Sequence, residues 1–197
     1  MLLSGQMSTS VSQHVEATRR RLSKKQVETV DRLTRAVIVV LAREGYANTT
    51  IRLIAAEAGV GTATAYTYFS SKEHLIAEVY WRRLTAATVD IPENADASTR
   101  AVAVLRQAAL LLSEEPALAS GISQALLGND PDVAHLRVRI GAELHSRLSA
   151  AVGPEHAQDL GHLELLYYGA MLQAGMGHLS YAEVADRMER CARSLLA

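Results

Sequence analysis

Small polar residues and two tyrosines lie close together in one short segment in the first half of the chain. Thr62, Ala63 and Thr64 follow a glycine, and Tyr66 and Tyr68 lie within the next four residues. Threonine hydroxyls can bond to base edges, and methyl groups can touch thymine. Phenolic hydroxyls can donate to phosphate oxygens. This order of residue types predicts a helix that enters the major groove of DNA, although tyrosines in a short helix are, without context, more often core residues.

The residues around this segment supply further candidate contacts. Lys72 would place a positive charge near the start of the next helix, where it could reach a phosphate. Arg52, at the start of the preceding helix, could reach either a base or a phosphate. Basic residues also precede the first helix, where they could follow the DNA backbone or enter a minor groove, or simply form a solvated tail. These are Arg19, Arg20, Arg21, Lys24 and Lys25.

Helices must position all of these side chains. Apolar residues recur at helical spacing from Val27 to Leu41, after a capping-box sequence that begins at Ser23. Gly45 is predicted to end this helix, and Gly59 to form the turn between two short helices. No apolar-polar alternation of the kind that marks a strand is present, so we predict an all-α fold. The predicted helices span about 24–44, 51–58, 62–68, 72–89, 98–113, 116–127, 132–151, 155–179 and 182–196.

Composition and charge narrow the class of protein. The chain of 197 residues is 49% hydrophobic and 21% charged, which is typical of a globular protein. Residues 1–83 carry 12 basic and 7 acidic side chains, whereas residues 84–197 carry 8 and 14. A basic first part suits a polyanionic partner. The single cysteine, Cys191, and the lack of a signal peptide or of a membrane-spanning apolar run favour a cytoplasmic location.

We find no constellation that would support catalysis. The sequence lacks a Gly-x-Ser-x-Gly motif, a glycine-rich phosphate loop and paired cysteines. His156, Asp159 and His162 are spaced three apart and could share part of a helix face, but such a group is more often a surface than a metal site. We therefore expect no enzymatic activity, no cofactor and no metal.

The segment over about residues 27–76 resembles the TetR family of bacterial helix-turn-helix transcriptional regulators. It departs from the common pattern at Gly61, where a polar capping residue is usual, at Ala63, where glycine is frequent, and at Ala65, where leucine is frequent. The matching motifs are Thr49-Thr50, Ile54-Ala55, Ala58-Gly59-Val60, Tyr66-Thr67-Tyr68-Phe69 and Ser71-Lys72-Glu73-His74-Leu75.

The resemblance implies a division of the chain and a set of partners. It implies a flexible basic arm over 1–22, a helix-turn-helix DNA-binding domain over 23–71, and a helical ligand-binding and dimerisation domain over 72–197, with 72–90 as the connecting helix. The homodimer would form through about 155–179 and 182–196 and bind a palindromic operator in double-stranded DNA. By position, the implied phosphate contacts are Thr50, Tyr66, Tyr68 and Lys72, and the implied base-facing residues are Arg52, Thr62, Ala63 and Thr64.

An effector pocket would need an apolar lining with a few polar groups. For each candidate an ordinary core position is the alternative. The region carries few charges, which favours a small hydrophobic effector such as a drug, a lipid or an aromatic metabolite. The candidates are Trp81, Leu105, Leu112, Tyr167, Met171, Gln173, Met176 and His178.

These features together predict a ligand-responsive repressor that a small molecule releases from its operator. Three alternatives remain open at this point. The protein could be an activator of the same fold, an architectural DNA-binding protein, or a helical small-molecule sensor or carrier without specific DNA binding.

Overall fold

The computed structural model describes residues 23–197, and this part of the chain is all-α, as the sequence predicts. It contains nine α-helices, one 3-10 segment and no β-strand. The predicted arm over 1–22, with Arg19, Arg20 and Arg21, lies outside the described residues. The helices are α1 (Lys24–Asn48), α2 (Ile51–Glu57), α3 (Thr62–Tyr68), α4 (Lys72–Ala86), α5 (Ala97–Leu110), α6 (Pro116–Leu127), α7 (Pro131–Val152), α8 (Leu160–Gly175) and α9 (Tyr181–Leu195).

The first three helices begin and end where local chemistry requires. Ser23 and Gln26 form a reciprocal capping box at the start of α1. Gly45 has a φ of 71° and interrupts the helical backbone inside α1, so the regular helix stops where the sequence predicts. Gly59, with a φ of 62°, makes the turn between α2 and α3.

The segment 155–179 is not the single helix that the sequence predicts. Its first part is a 3-10 segment, Pro154–Asp159, in which His156 leaves helical geometry with φ −117° and ψ 21°. Proline has no N–H to donate, and its ring obstructs continuation of α7. At the other end, Gly177 has a φ of 75°, so α8 ends at Gly175.

Two further helices end three residues earlier than predicted. α4 stops at Ala86 because the backbone of Ala87 is extended. The carbonyl oxygen of Ala87 accepts a hydrogen bond from the Arg147 guanidinium at 2.9 Å. α5 stops at Leu110, whose carbonyl accepts both the backbone N–H and the hydroxyl of Ser113. In both cases a side chain or turn satisfies a carbonyl that the longer helix would have used.

One continuous core joins the helix-turn-helix region to the remaining helices. Buried side chains from α1 through α9 form a single contiguous cluster. α1 packs directly on α6, where a Cβ at the buried Gly121 would lie 3.3 Å from the Leu41 methyl carbons. α1 therefore belongs both to the DNA-binding region and to the packing of the larger helical body.

Among residues 23–197, no helix combines the length and the apolar character that crossing a lipid bilayer requires.

Candidate nucleic-acid interface and effector cavity

The start of α3 presents an open, uncharged face. Thr62, Ala63 and Thr64 are exposed, and the N-cap residue Gly61 makes no side-chain capping bond. One turn later, Tyr66 remains 56% exposed. The backbone N–H groups and hydroxyls of this turn are accessible to a partner molecule.

The opposite side of α3 is apolar and fixed. Ala65 and Phe69 are buried, and the Phe69 ring meets the His74 ring edge-on at 5.3 Å. Tyr68 is half-buried and packs against the core. Phe69 thus takes the core position that its type suggests, while Tyr66 points away from it.

An arginine on α1 holds the turn of the helix-turn-helix in place. Arg32 Nη1 lies 3.4 Å from the carbonyl oxygens of both Ala58 and Gly59, to which it donates. Nearby, Arg43 and Glu57 form an ion pair at 2.9 Å between α1 and α2. No sequence pattern marked Arg32, because its partners are backbone carbonyls 26 and 27 residues away.

Thr50 and Arg52 lie at the exposed start of α2. The Thr50 hydroxyl accepts a hydrogen bond from the Leu53 N–H at 3.2 Å and so caps the helix. In the described part of the chain its own O–H has no acceptor and can donate to a bound molecule. Within residues 23–197, Arg52 is exposed and makes no hydrogen bond or ion pair. Both side chains can therefore serve a phosphate or a base without giving up a protein contact.

Lys72 joins the start of α4 to the end of α1. Its Nζ donates to the Tyr46 carbonyl at 2.7 Å and lies 4.3 Å from the centre of the Tyr46 ring. Two of its three N–H groups remain for another acceptor. The Tyr46 hydroxyl donates to Glu73 at 3.1 Å, and burial, together with the Glu73 charge, raises the pKa of Tyr46 to about 12.

A carboxylate of the α6–α7 loop reaches the N-cap residue of α4, in the short connection between α3 and α4. The Ser71 hydroxyl caps α4 by accepting from the His74 N–H, and it donates to Asp130 Oδ2 at 2.7 Å. Asp130 also caps α7, accepting from the N–H groups of Asp132 and Val133. Burial acts to raise the pKa of Asp130, but these hydrogen bonds outweigh it and lower the pKa below its ordinary value.

A cavity of about 280 Å³ lies between α4, α6, α7 and α8. None of its lining side chains is charged, and most are apolar. Its walls are Tyr80, Leu112, Ile122, Ser123, Leu126, Leu127, Ile140, Tyr167, Tyr168, Met171 and Leu172.

Only some of the residues predicted for the effector pocket come together at this cavity. Leu112, Tyr167 and Met171 line it. Gln173 and His178 instead line a separate groove between α8 and α9, where their side chains lie 3.0 Å apart.

The other three predicted pocket residues line neither space. Trp81 packs under the Arg139 guanidinium at 4.3 Å, and Leu105 is fully buried in the core. Met176, at the end of α8, is exposed. The adjacent Tyr80, rather than Trp81, is the α4 residue that enters the cavity.

Tyr80 was not among the residues predicted for the pocket, although its spacing in the sequence carried a signal. Ile76, Tyr80 and Leu84 are four residues apart and all buried, so Tyr80 lies on the inner face of α4. Its hydroxyl meets that of Tyr167 at 2.5 Å. Burial raises the pKa of Tyr80 to about 12 and raises the pKa of Tyr167 well above its ordinary value.

His156, Asp159 and His162, which are spaced three apart, do not form a metal site in the described part of the chain. His156 Nδ1 lies 3.3 Å from Asp159 Oδ2, which is an ordinary hydrogen bond between neighbours. Over residues 23–197, no three His, Cys, Asp or Glu side chains gather as a metal ion would require.

Comparison with known proteins agrees with this architecture. The sequence profile described as "Bacterial regulatory proteins, tetR family" matches residues 33–79. An uncharacterized HTH-type transcriptional regulator of Mycobacterium tuberculosis strain H37Rv is 42% identical over 180 residues, covering 89% of this chain and 83% of the relative. A regulator of the same description from Mycobacterium bovis matches equally.

Solved structures share the fold at lower identity. A TetR transcriptional regulator from Rhodococcus sp. RHA1 superposes with a TM-score of 0.71 at 20% identity, covering 88% of this chain and 98% of that one. The transcriptional regulator FadR from Bacillus subtilis, solved with stearoyl-CoA, gives 0.61 at 19% identity, covering 82% and 96%.

The chain belongs to the TetR family of bacterial regulatory proteins. It is a helix-turn-helix, DNA-binding transcriptional regulator.

Proposed function

We propose that the protein is a cytoplasmic repressor that binds a palindromic operator as a homodimer and leaves it when a small hydrophobic effector binds. The observation that carries the proposal is the pairing of an exposed, uncharged α3 face with an apolar cavity whose wall includes a residue of α4, Tyr80. The exposed α3 face suits DNA recognition, and the cavity suits a small molecule that regulates DNA binding.

Recognition would use the two sets of residues that the sequence predicts. Thr62, Ala63 and Thr64 would face base edges at the exposed start of α3. Phosphate contacts would come from residues around them, which fix the register of the helix on the duplex. We assign this role to Thr50, Tyr66, Tyr68 and Lys72, and a base or phosphate contact to Arg52.

A homodimer is supported by the unpartnered apolar surface of α8. Leu165 is 72% exposed, and Met176, directly after the last residue of α8, is also exposed. An exposed apolar surface of this kind is typical of an interface. Beside it, the groove between α8 and α9 includes the apolar side chains of Val184 and Met188. We therefore place the interface on α8 and α9, within the predicted segments 155–179 and 182–196.

The dimer assignment has a direct test. Replacing Leu165 with glutamate should shift the protein from dimer to monomer in light scattering coupled to size-exclusion chromatography, because the charge would be buried at the interface. Val138→Glu on α7, at a comparably exposed position, should leave the dimer intact. A dimer that survives Leu165→Glu would place the interface elsewhere.

A route from the cavity to the proposed DNA-binding residues would run through α4. Tyr80 contacts the cavity from α4, and the same helix begins at Lys72, which is bonded to the end of α1. Two α3 helices in a dimer must fit half-sites about 34 Å or more apart. A small rotation of α4 on effector binding would therefore suffice to lower operator affinity.

The function is tested by fluorescence anisotropy on DNA from the region upstream of the coding gene, at two salt concentrations and against scrambled competitor. Binding that survives the competitor supports a sequence-specific regulator. Equal binding to scrambled DNA would favour an architectural role, and no binding by a folded dimer would favour a sensor or carrier. Reporter transcription then distinguishes a repressor, which lowers expression, from an activator.

A further inference from the structure

The buried hydroxyl pair of Tyr80 and Tyr167 has a hydrogen-bond donor to spare. Both side chains line the cavity, and their residues are only 3% and 4% exposed. Two phenols supply two O–H donors, and one of these is used between them. Among residues 23–197, neither hydroxyl has another partner. The second proton therefore has no acceptor in the described protein, and an acceptor on a bound molecule would satisfy it.

The charge of the cavity restricts what can bind there. Its lining contains hydroxyl groups but no lysine, arginine, histidine, aspartate or glutamate. Because burial raises the pKa of Tyr80 and of Tyr167, both phenols stay neutral at physiological pH. A carboxylate or an ammonium ion would lose its hydration here without gaining a counter-ion. The cavity therefore favours a neutral molecule.

The size and the opening of the cavity further restrict the kind of molecule that can bind. A cavity of about 150 Å³ holds benzene, so 280 Å³ has room for two fused rings with a small substituent. Three lining residues, Leu127, Tyr168 and Leu172, are also exposed. They place the opening between the end of α6 and the second half of α8.

We propose that the cavity binds a neutral, largely apolar molecule of about two rings, whose carbonyl or ether oxygen accepts a hydrogen bond from the Tyr80–Tyr167 pair. The inference deepens the proposed function, on which it rests for the role of this cavity as the effector site. The ligand class itself can be measured on the full-length protein without DNA.

The test uses three naphthalene probes of nearly equal size, measured by isothermal titration calorimetry. 2-Acetylnaphthalene carries a neutral acceptor, 2-isopropenylnaphthalene has the same shape without one, and 2-naphthoate carries a negative charge. One hydrogen bond from the pair should make the ketone bind about tenfold more tightly than the alkene. The naphthoate should bind at least about tenfold more weakly than the ketone.

Matched variants assign the effect to the hydroxyl pair. The double change Tyr80→Phe with Tyr167→Phe removes both donors, and it should abolish the preference for the ketone over the alkene. Replacing both partners of a buried pair by apolar groups of similar shape is close to neutral for folding. Tyr168→Phe is the control, since Tyr168 lines the same cavity but its hydroxyl lies beside Gly141 of α7. It should keep the preference.

Three results would overturn the inference: naphthoate binding as tightly as the ketone, a ketone preference that survives in the double variant, or no binding of any probe. The same probes in the anisotropy assay test the proposed function separately. If the ketone binds as expected but leaves operator affinity unchanged, the ligand class stands and the effector role fails. If operator binding is specific but naphthoate is preferred, the regulator stands and the ligand class fails.

Discussion

The polar side chains of the α2–α3 surface are exposed to solvent. In the cavity between α4, α6, α7 and α8, by contrast, the hydroxyl groups of Tyr80 and Tyr167 are buried among apolar side chains. The first is shaped mainly by short-range contacts, such as the Thr50 cap and the Gly59 turn, with Arg32 of α1 also donating to that turn. The second depends on pairs distant in the chain, such as Tyr80 and Tyr167, which are 87 residues apart. The shape of the α2–α3 surface therefore depends mainly on residues near it in the chain, whereas the shape of the cavity depends on how distant helices pack together.

The largest expected effect tests whether the helix-turn-helix region and the helices around the cavity unfold together. Ile54 in α2 is 0% exposed and Leu144 in α7 is 1% exposed. Changing either to alanine should lower the free energy of unfolding by about 2–5 kcal/mol, through lost burial and the cavity left behind. Because one core joins the regions, each variant should unfold in a single transition.

Urea unfolding at fixed protein concentration checks this, with circular dichroism for all helices and the fluorescence of Trp81, the one tryptophan, for α4. Coincident curves in both variants would support a shared core. If Ile54→Ala instead produced an early transition that Trp81 did not report, the helix-turn-helix region would be an independent unit.

The next effect concerns affinity that does not depend on sequence. Lys72→Ala should weaken binding to all DNA by about 2 kcal/mol, because a charge-assisted phosphate contact is lost. The slope of log affinity against log salt should become shallower by about one unit. Anisotropy on operator and scrambled DNA measures both quantities.

Arg190→Ala removes the same charge from an exposed site on α9 and provides the control. It should change neither affinity nor salt slope appreciably. A Lys72→Ala protein that altered only sequence preference would contradict the phosphate role.

A smaller effect concerns sequence preference. Thr62→Val and Thr64→Val keep the shape of the side chain but remove a hydroxyl, so each should change discrimination at one base pair by about 1 kcal/mol. Thr67→Val is the control, because the Thr67 hydroxyl is already bonded to the Ala63 carbonyl at 3.1 Å. Binding to a library of single-base operator variants would reveal whether the effects are confined to one position.

Sequence patterns predicted the parts of the molecule whose causes are local. The cap at Ser23, the turns at Gly45 and Gly59, and the short α3 follow from residues within about four positions of each other. The exposed Thr62–Thr64 face could be placed for the same reason.

The cavity could not be predicted in the same way, because its wall depends on which face of each helix turns inward. Trp81 and Tyr80 are neighbours. The spacing of Tyr80 from Ile76 and Leu84 indicates an inward face, but only the packed helices show that a cavity lies beside it. Residue type predicted Leu105 for the pocket together with Leu112 and Tyr167, but Leu105 is fully buried in the core. The role of Arg32 could not be predicted from side-chain spacing, because its acceptors are backbone carbonyl oxygens.

The smallest expected effect asks whether the link between the two regions contributes to DNA binding. Asp130→Asn keeps a good helix cap for α7 but weakens the bond from Ser71, so operator affinity should fall by about 0.5 kcal/mol, roughly twofold. Asp96→Asn is the matched control, since Asp96 caps α5 through the Thr99 N–H and has no contact near α3. It should leave operator affinity unchanged.

The stability of the protein should depend on pH in the same direction for Asp130 and for Asp96. The pKa of Asp130 is lowered in the folded protein, so its contribution to stability is present at neutral pH and is lost as the pH falls through that lowered pKa, below about 4. Asp96, whose pKa is lowered mainly by the Thr99 N–H, follows the same sign. Urea midpoints from pH 7 to pH 3 should therefore fall less steeply in each variant than in the parent. Equal DNA affinities for the two variants would show that the Ser71–Asp130 bond stabilises the fold without positioning α3.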